Sequence, residues 1–147
     1  MSLQSQIINM KVLASLLSGD LGYISGERES GPNGEKSAFL SRGSAFLREL
    51  GKDLGFEVQK VQTNKGGIAV SGEVCLNGMW NTNGLYIRLE QAFGKNVIIY
   101  RTITAFDDNH SGINCYITLD ELQRADYAGL MLKLYKLRLS MAANNAA

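Results

Sequence analysis

The chain of 147 residues has a single histidine, His110, and it follows two adjacent carboxylates, Asp107 and Asp108. Acid–base catalysis needs titratable groups held together, and a metal site needs clustered His, Cys or carboxylate ligands. The sequence has no second cluster of this kind to complete a metal site. The alternative is a polar hairpin turn, in which Asp and Asn tolerate left-handed dihedral angles and Gly112 supplies a positive φ. The sequence favours the turn.

The other reactive residue types do not form catalytic groups either. Cys75 and Cys115 fall at the centres of separate predicted strands, where cysteine usually behaves as a small hydrophobic residue. The pair Gly66-Gly67 joins two predicted strands instead of leading into a helix, so it lacks the dipole of a phosphate-binding loop. We therefore predict a non-enzymatic protein with no catalytic residue, metal ligand or cofactor. A metal-assisted hydrolase that uses turn 107–110 is the least favoured alternative.

Aromatic side chains on the predicted sheet are better candidates for a functional surface. If the apolar residues of strand 85–89 face the core, Tyr86 and Arg88 face the opposite side, and the expected pairing adds Tyr100 and Tyr116. Aromatic rings on a sheet are platforms on which unpaired nucleic-acid bases stack. The alternative, which the sequence favours, is that the two N-terminal helices cover this face and that the tyrosines are packing residues.

The only tryptophan, Trp80, lies in loop 77–84 among small polar residues. A tryptophan in such a loop is typical of a recognition anchor. Trp80 folded back as a plug at the open end of the sheet is an equally good interpretation.

Periodicity places these residues on an α+β framework of two N-terminal helices, a five-stranded antiparallel meander and one C-terminal helix. Helices are predicted near 3–17 and 35–54, the second followed by Gly55 as a C-terminal glycine. Strands joined by short turns follow, since parallel neighbours would need long crossovers. Thr118 and Glu121 have the spacing of a capping box at the start of the last helix, which has a wide apolar face.

Length and composition predict one domain over 1–147, with a flexible loop at 22–34 and a frayed tail at 142–147. The balance of 15 basic and 14 acidic side chains argues against duplex binding driven by phosphates. We find no transmembrane stretch and no signal peptide, so we expect no membrane association and a cytoplasmic location.

Several segments resemble small uncharacterised bacterial proteins and domains associated with plasmids and phages. They are GGIAVSGEV at 66–74, Tyr100-Arg101 leading to Gly112 and then 116–122, and the helix with AFLR at 45–48 and KDLG at 52–55. The similarity covers about residues 37–122, its motifs are turns and alternations, and it implies a mobile-element accessory role but no catalytic residues.

We therefore predict a binding module that contacts single-stranded nucleic acid or a nucleic-acid-processing partner through Trp80, Tyr86, Arg88, Tyr100 and Tyr116. The alternative is a protein-interaction domain, or a homodimer that pairs through the C-terminal helix.

Overall fold

A computed structural model describes residues 2–18, 35–64, 72–90, 96–106 and 112–146. Its elements confirm the α+β class, the two N-terminal helices and the five-stranded antiparallel sheet. In chain order they are α1 (Ser2–Leu17), α2 (Glu35–Asp53), β1 (Val58–Asn64), β2 (Glu73–Met79), β3 (Gly84–Glu90), β4 (Asn96–Ile103), β5 (Cys115–Thr118), α3 (Leu119–Arg124) and α4 (Tyr127–Ala146).

The sheet is a meander in which each strand pairs with the next one along the chain, in the order β1-β2-β3-β4-β5. All four pairings are antiparallel. Because residues opposite each other in an antiparallel pair point to the same side, the register assigns every side chain to a face. Val74 opposite Leu89 and Leu76 opposite Ile87 are buried and define the inner face.

The helices pack together against this inner face. A Cβ added to Gly43 of α2 would lie 3.0 Å from side-chain atoms of both Val74 and Leu89, so α2 crosses the sheet in close contact. Phe39 and Phe46 are seven residues apart on α2, and neither of them is exposed to solvent. The predicted glycine end of α2 is also confirmed, since Gly55 has φ 77° and its amide donates to the Lys52 carbonyl.

Buried polar side chains connect α1 to α2. The Gln6 Nε2 donates to the Phe46 carbonyl at 2.9 Å, and the Asn9 Nδ2 donates to the Gln6 Oε1 at 2.7 Å. The Arg42 guanidinium donates to the Asn9 Oδ1 at 3.2 Å. These bonds satisfy amide groups that would otherwise be costly to bury, and they orient α1 on α2.

The prediction of a single C-terminal helix is wrong, because the structure has two helices, α3 and α4, in its place. Thr118 and Glu121 form the predicted capping box at the start of α3. Ala125 then adopts φ 52°, a left-handed conformation, and its amide bonds back to the Leu122 carbonyl. Asp126 starts α4 by accepting the Gly129 amide at 3.0 Å.

The predicted flexible loop at 22–34 and the turn at 107–110 lie outside the described residues, while α4 continues to Ala146. None of the helices in the described ranges is long and apolar enough to cross a membrane.

Candidate binding face of the sheet

Three of the five predicted binding residues lie together on the outer face of the sheet, which points away from the helices. Tyr86 lies opposite Arg101, Arg88 lies opposite Ile99, and Ile99 lies opposite Tyr116. We call the surface formed by Tyr86, Arg88, Arg101 and Tyr116 the tyrosine–arginine face. Helix α2 packs against the other side of the sheet, where Val74 and Leu89 lie.

Tyr100 is not on this face, because the register places Arg101 there. Tyr100 lies opposite Ile87, points toward the helices and is only 6% exposed. Residues 97–100 are all apolar or aromatic, so period-two alternation cannot tell which of them face inward. A bulge between Asn96 and Ile98 further shifts the pairing with β5. Compared with the prediction, the outer face therefore lacks Tyr100 and gains Arg101, which the sequence pattern did not identify.

Trp80 is buried at the end of β2, with 2% of its surface exposed. Its indole Nε1 donates to the Leu54 carbonyl at 2.8 Å, just after the end of α2. The ring packs on Phe56 with 4.8 Å between ring centroids, and the Arg138 guanidinium lies 5.2 Å from the indole centroid. Trp80 thus occupies the position of a plug between the sheet and two helices.

Tyr86 is the centre of the tyrosine–arginine face. The Arg101 guanidinium carbon lies 4.3 Å from the centroid of the Tyr86 ring, which is cation–π geometry. The Tyr86 hydroxyl lies 3.3 Å from the Cys75 sulfur on the neighbouring strand. Burial, followed by the hydrogen bond with Cys75, raises the pKa of Tyr86 to about 12. The phenol is therefore neutral at physiological pH and can hydrogen-bond as donor or acceptor.

Arg88 is held by carboxylates at one end of the same face. Its Nη2 lies 3.3 Å from Glu90, and its Nε lies 3.8 Å from Glu73 on β2. Glu73 and Glu90 are directly opposite each other in the sheet, and Arg88 pairs with both of these like charges. Burial raises the pKa of Glu90, although Arg88 opposes that shift.

The Cys75 thiol also lies on this face, opposite Arg88. Burial raises the pKa of the Cys75 thiol, which keeps it protonated and weakly nucleophilic at neutral pH. Within the described residues no three His, Cys, Asp or Glu side chains are placed to hold a metal ion. The catalytic alternative at turn 107–110 lies outside them.

Comparisons with protein-family models, curated proteins and solved structures give no match for this chain.

Proposed function

We propose that the protein is a binding module for single-stranded nucleic acid and that the tyrosine–arginine face is its contact surface. The observation that carries the proposal is the sheet register, which places two arginines and two tyrosines on one face, opposite the helical layer. Single-strand binding combines planar groups for bases with cations for the backbone.

Two planar surfaces on this face can stack with bases. Tyr116 is 48% exposed, so its ring is accessible. One side of the Tyr86 ring is covered by the Arg101 guanidinium, and arginine planes themselves stack on bases. A base on Arg101 would therefore extend a stack that Tyr86 supports from below.

Arg88 is not among the cations that we assign to phosphates. Arg88 is already paired with Glu73 and Glu90, so its charge is largely compensated. The register aligns Lys60, Asn77, Tyr86 and Arg101 across four strands, and Lys60 is exposed. We assign the phosphate contacts to Lys60 and to the edge of the Arg101 guanidinium, and the base contacts to the Tyr116 ring and to the guanidinium plane that lies over Tyr86.

The test is a titration of fluorescein-labelled oligodeoxythymidine of about 16 nucleotides, followed by anisotropy at several salt concentrations. Two phosphate contacts predict a slope of about −1.4 in log K against log salt. Arg101→Gln is expected to reduce the slope by about 0.7, since one contact is lost. Tyr116→Ala should weaken binding without that change in slope, because stacking of a base contributes about 1–3 kcal/mol.

The matched control is Lys52→Gln, which removes an exposed cation from α2 on the opposite side of the sheet. If Lys52→Gln and Arg101→Gln weaken binding equally, the contact is a diffuse charge effect and the proposal fails. It also fails if micromolar protein leaves the anisotropy unchanged. Quenching of Trp80 is unsuitable for this test because its ring is buried away from the tyrosine–arginine face.

The resemblance of segments 37–122 to plasmid- and phage-associated proteins supports a setting for this activity. Within it, we propose a cytoplasmic accessory protein of a mobile element, acting on single strands exposed during replication or transfer or on a protein that processes them.

A second candidate function is self-association through α4. Leu132, Tyr135 and Leu139 recur at helical spacing on its outer side, and the two leucines are each 58% exposed. In an antiparallel pair of α4 helices related by a two-fold axis, Leu132 of one copy would lie against Leu139 of the other. This pairing would bury the apolar stripe.

Light scattering coupled to size exclusion tests the second candidate, since the dimer would have twice the 16.1 kDa mass of the chain. Leu139→Glu should convert it to a monomer. Ile113→Glu is the matched control, because Ile113 is an even more exposed apolar residue that lies before β5 and not on α4. A monomeric wild-type protein would exclude this candidate and leave the nucleic-acid proposal standing.

A further inference from the structure

A cleft of about 170 Å³ opens on the helical side of the molecule, where the junction of α3 and α4 meets the sheet. Its apolar lining comes from four elements, namely Met10 of α1, Ile98 of β4, Ile117 of β5 and Leu130 of α4. These four residues are at most 7% exposed, so they form a buried apolar floor. The cleft is on the opposite side of the sheet from the tyrosine–arginine face, and its role is independent of the proposed function.

Four charged residues line the same cleft, and two of them neutralise each other. The Lys133 Nζ donates to the Glu121 Oε2 at 3.0 Å, a contact that lowers the pKa of Glu121 and raises that of Lys133. The two remaining charges are the Arg124 guanidinium and the Asp126 carboxylate, both on exposed residues. The Asp126 Oδ1 accepts the Gly129 amide at 3.0 Å, and the Asp126 Oδ2 lies beside the Gly129 Cα, where a Cβ would be.

The size of the cleft limits what it can hold. A cavity of about 150 Å³ accepts benzene, so this cleft suits an apolar group of about four to six carbons. A nucleotide or a peptide is too large. One cation and one anion beside such an apolar floor match a small zwitterion, whose carboxylate and ammonium would stay at the mouth.

From this arrangement we propose that the cleft binds a free apolar amino acid of leucine size. Arg124 pairs with its carboxylate, Asp126 pairs with its ammonium, and the aliphatic side chain lies on Ile98, Ile117 and Leu130. Ligands of this size reach affinities on the order of 1 mM when most of their atoms are buried.

The experiment is a methyl NMR titration of the full chain, following Ile98, Ile117 and Leu130. Three probes separate the contacts, namely leucine, isocaproate, which lacks the ammonium, and isoamylamine, which lacks the carboxylate. Leucine is expected to produce saturable shifts at these methyl groups. Each of the other two probes should bind about tenfold more weakly, as expected for the loss of one charged contact of about 1.4 kcal/mol.

Variants assign the two charges. Arg124→Gln should weaken leucine binding about tenfold but leave isoamylamine binding unchanged. Asp126→Asn should also weaken leucine binding about tenfold, but it should leave isocaproate binding unchanged. Asparagine caps a helix about as well as aspartate, so Asp126→Asn removes the charge without removing the cap of α4. Lys136→Gln is the control, since it removes an exposed lysine of the same helix that does not line the cleft.

Several results would overturn the proposal. One is that leucine at tens of millimolar, far above the expected dissociation constant of about 1 mM, leaves the three methyl signals unmoved. Isocaproate could bind as tightly as leucine, which would show that the ammonium is not recognised. Lys136→Gln could weaken leucine as much as Arg124→Gln does, which would reduce the effect to general electrostatics.

Discussion

The Tyr86 hydroxyl, 3.3 Å from the Cys75 sulfur, determines how the tyrosine–arginine face responds to alkaline pH. Burial is the main reason that its pKa reaches about 12, and the Cys75 contact adds to the shift. Burial raises the pKa of the Cys75 thiol as well. Arg101 rests on the ring of this same tyrosine, and ionisation of Tyr86 would therefore change the stacking surface itself.

A raised pKa in the folded state fixes the sign of the effect of pH on stability. An unfolded tyrosine ionises near pH 10, whereas folded Tyr86 keeps its proton until about pH 12. The stabilisation from Tyr86 is complete below about pH 10 and is lost as pH rises through 12. In the Tyr86→Phe variant, the free energy of unfolding in urea should therefore fall less steeply in this window. Between about pH 7 and 9 it should depend on pH in the same way as in the wild type. If the unfolding free energy of both proteins fell equally steeply at alkaline pH, the raised pKa of Tyr86 would be contradicted.

Alternation of apolar and polar residues predicts the side-chain faces of β3 but not those of β4. Alternation in β3 correctly separates Tyr86 and Arg88 from the buried leucines, because apolar and polar residues follow each other strictly. In β4 both sides of the strand are apolar over 97–100, so the face of Tyr100 depends on its pairing with β3. Sequence reasoning could identify Arg101 only with knowledge of that register.

The start of α3 can be predicted from its capping box, whereas the break between α3 and α4 cannot be predicted from local sequence. Ser, Thr and Glu at fixed spacing are a local signal, and the structure confirms the box at Thr118 and Glu121. The end of α3 has no comparable signal, since Ala125 adopts the left-handed conformation that glycine normally occupies. Packing of α4 on the core keeps this alanine in place, with 6% of its surface exposed.

The capping box predicts a stability effect that can be isolated. Thr118→Ala should lower the free energy of unfolding by about 1 kcal/mol, because the Glu121 amide loses its acceptor at the start of a short helix. Thr118→Ser, which keeps the hydroxyl, should lose much less. Urea unfolding monitored by circular dichroism measures both differences, and equal losses for the two variants would mean that the Thr118 methyl, not the cap, stabilises α3.

The whole molecule is built from two layers, a helical layer over the inner face and the tyrosine–arginine face on the outside. One buried cluster includes residues of α1, α2, α4 and the strands β2 to β5. Trp80 connects distant parts of it, since it hydrogen-bonds to Leu54 after α2, packs on Phe56 and contacts Arg138 of α4. A single cluster of this kind predicts that the layers unfold together.

Trp80 is the only tryptophan, so its fluorescence monitors the end of the sheet at which it packs. Far-ultraviolet circular dichroism monitors all helices and strands. For one cooperative unit the two urea transitions should coincide, with a common slope of about 1–3 kcal/mol per molar urea. Trp80→Phe should shift the dichroism midpoint to lower urea, because the Leu54 carbonyl loses its indole donor and the smaller ring leaves a gap beside Phe56. A fluorescence transition that precedes the dichroism transition would show that the Trp80 end opens independently. The molecule would then contain a separable unit at that end, and the prediction of one cooperative domain would be wrong.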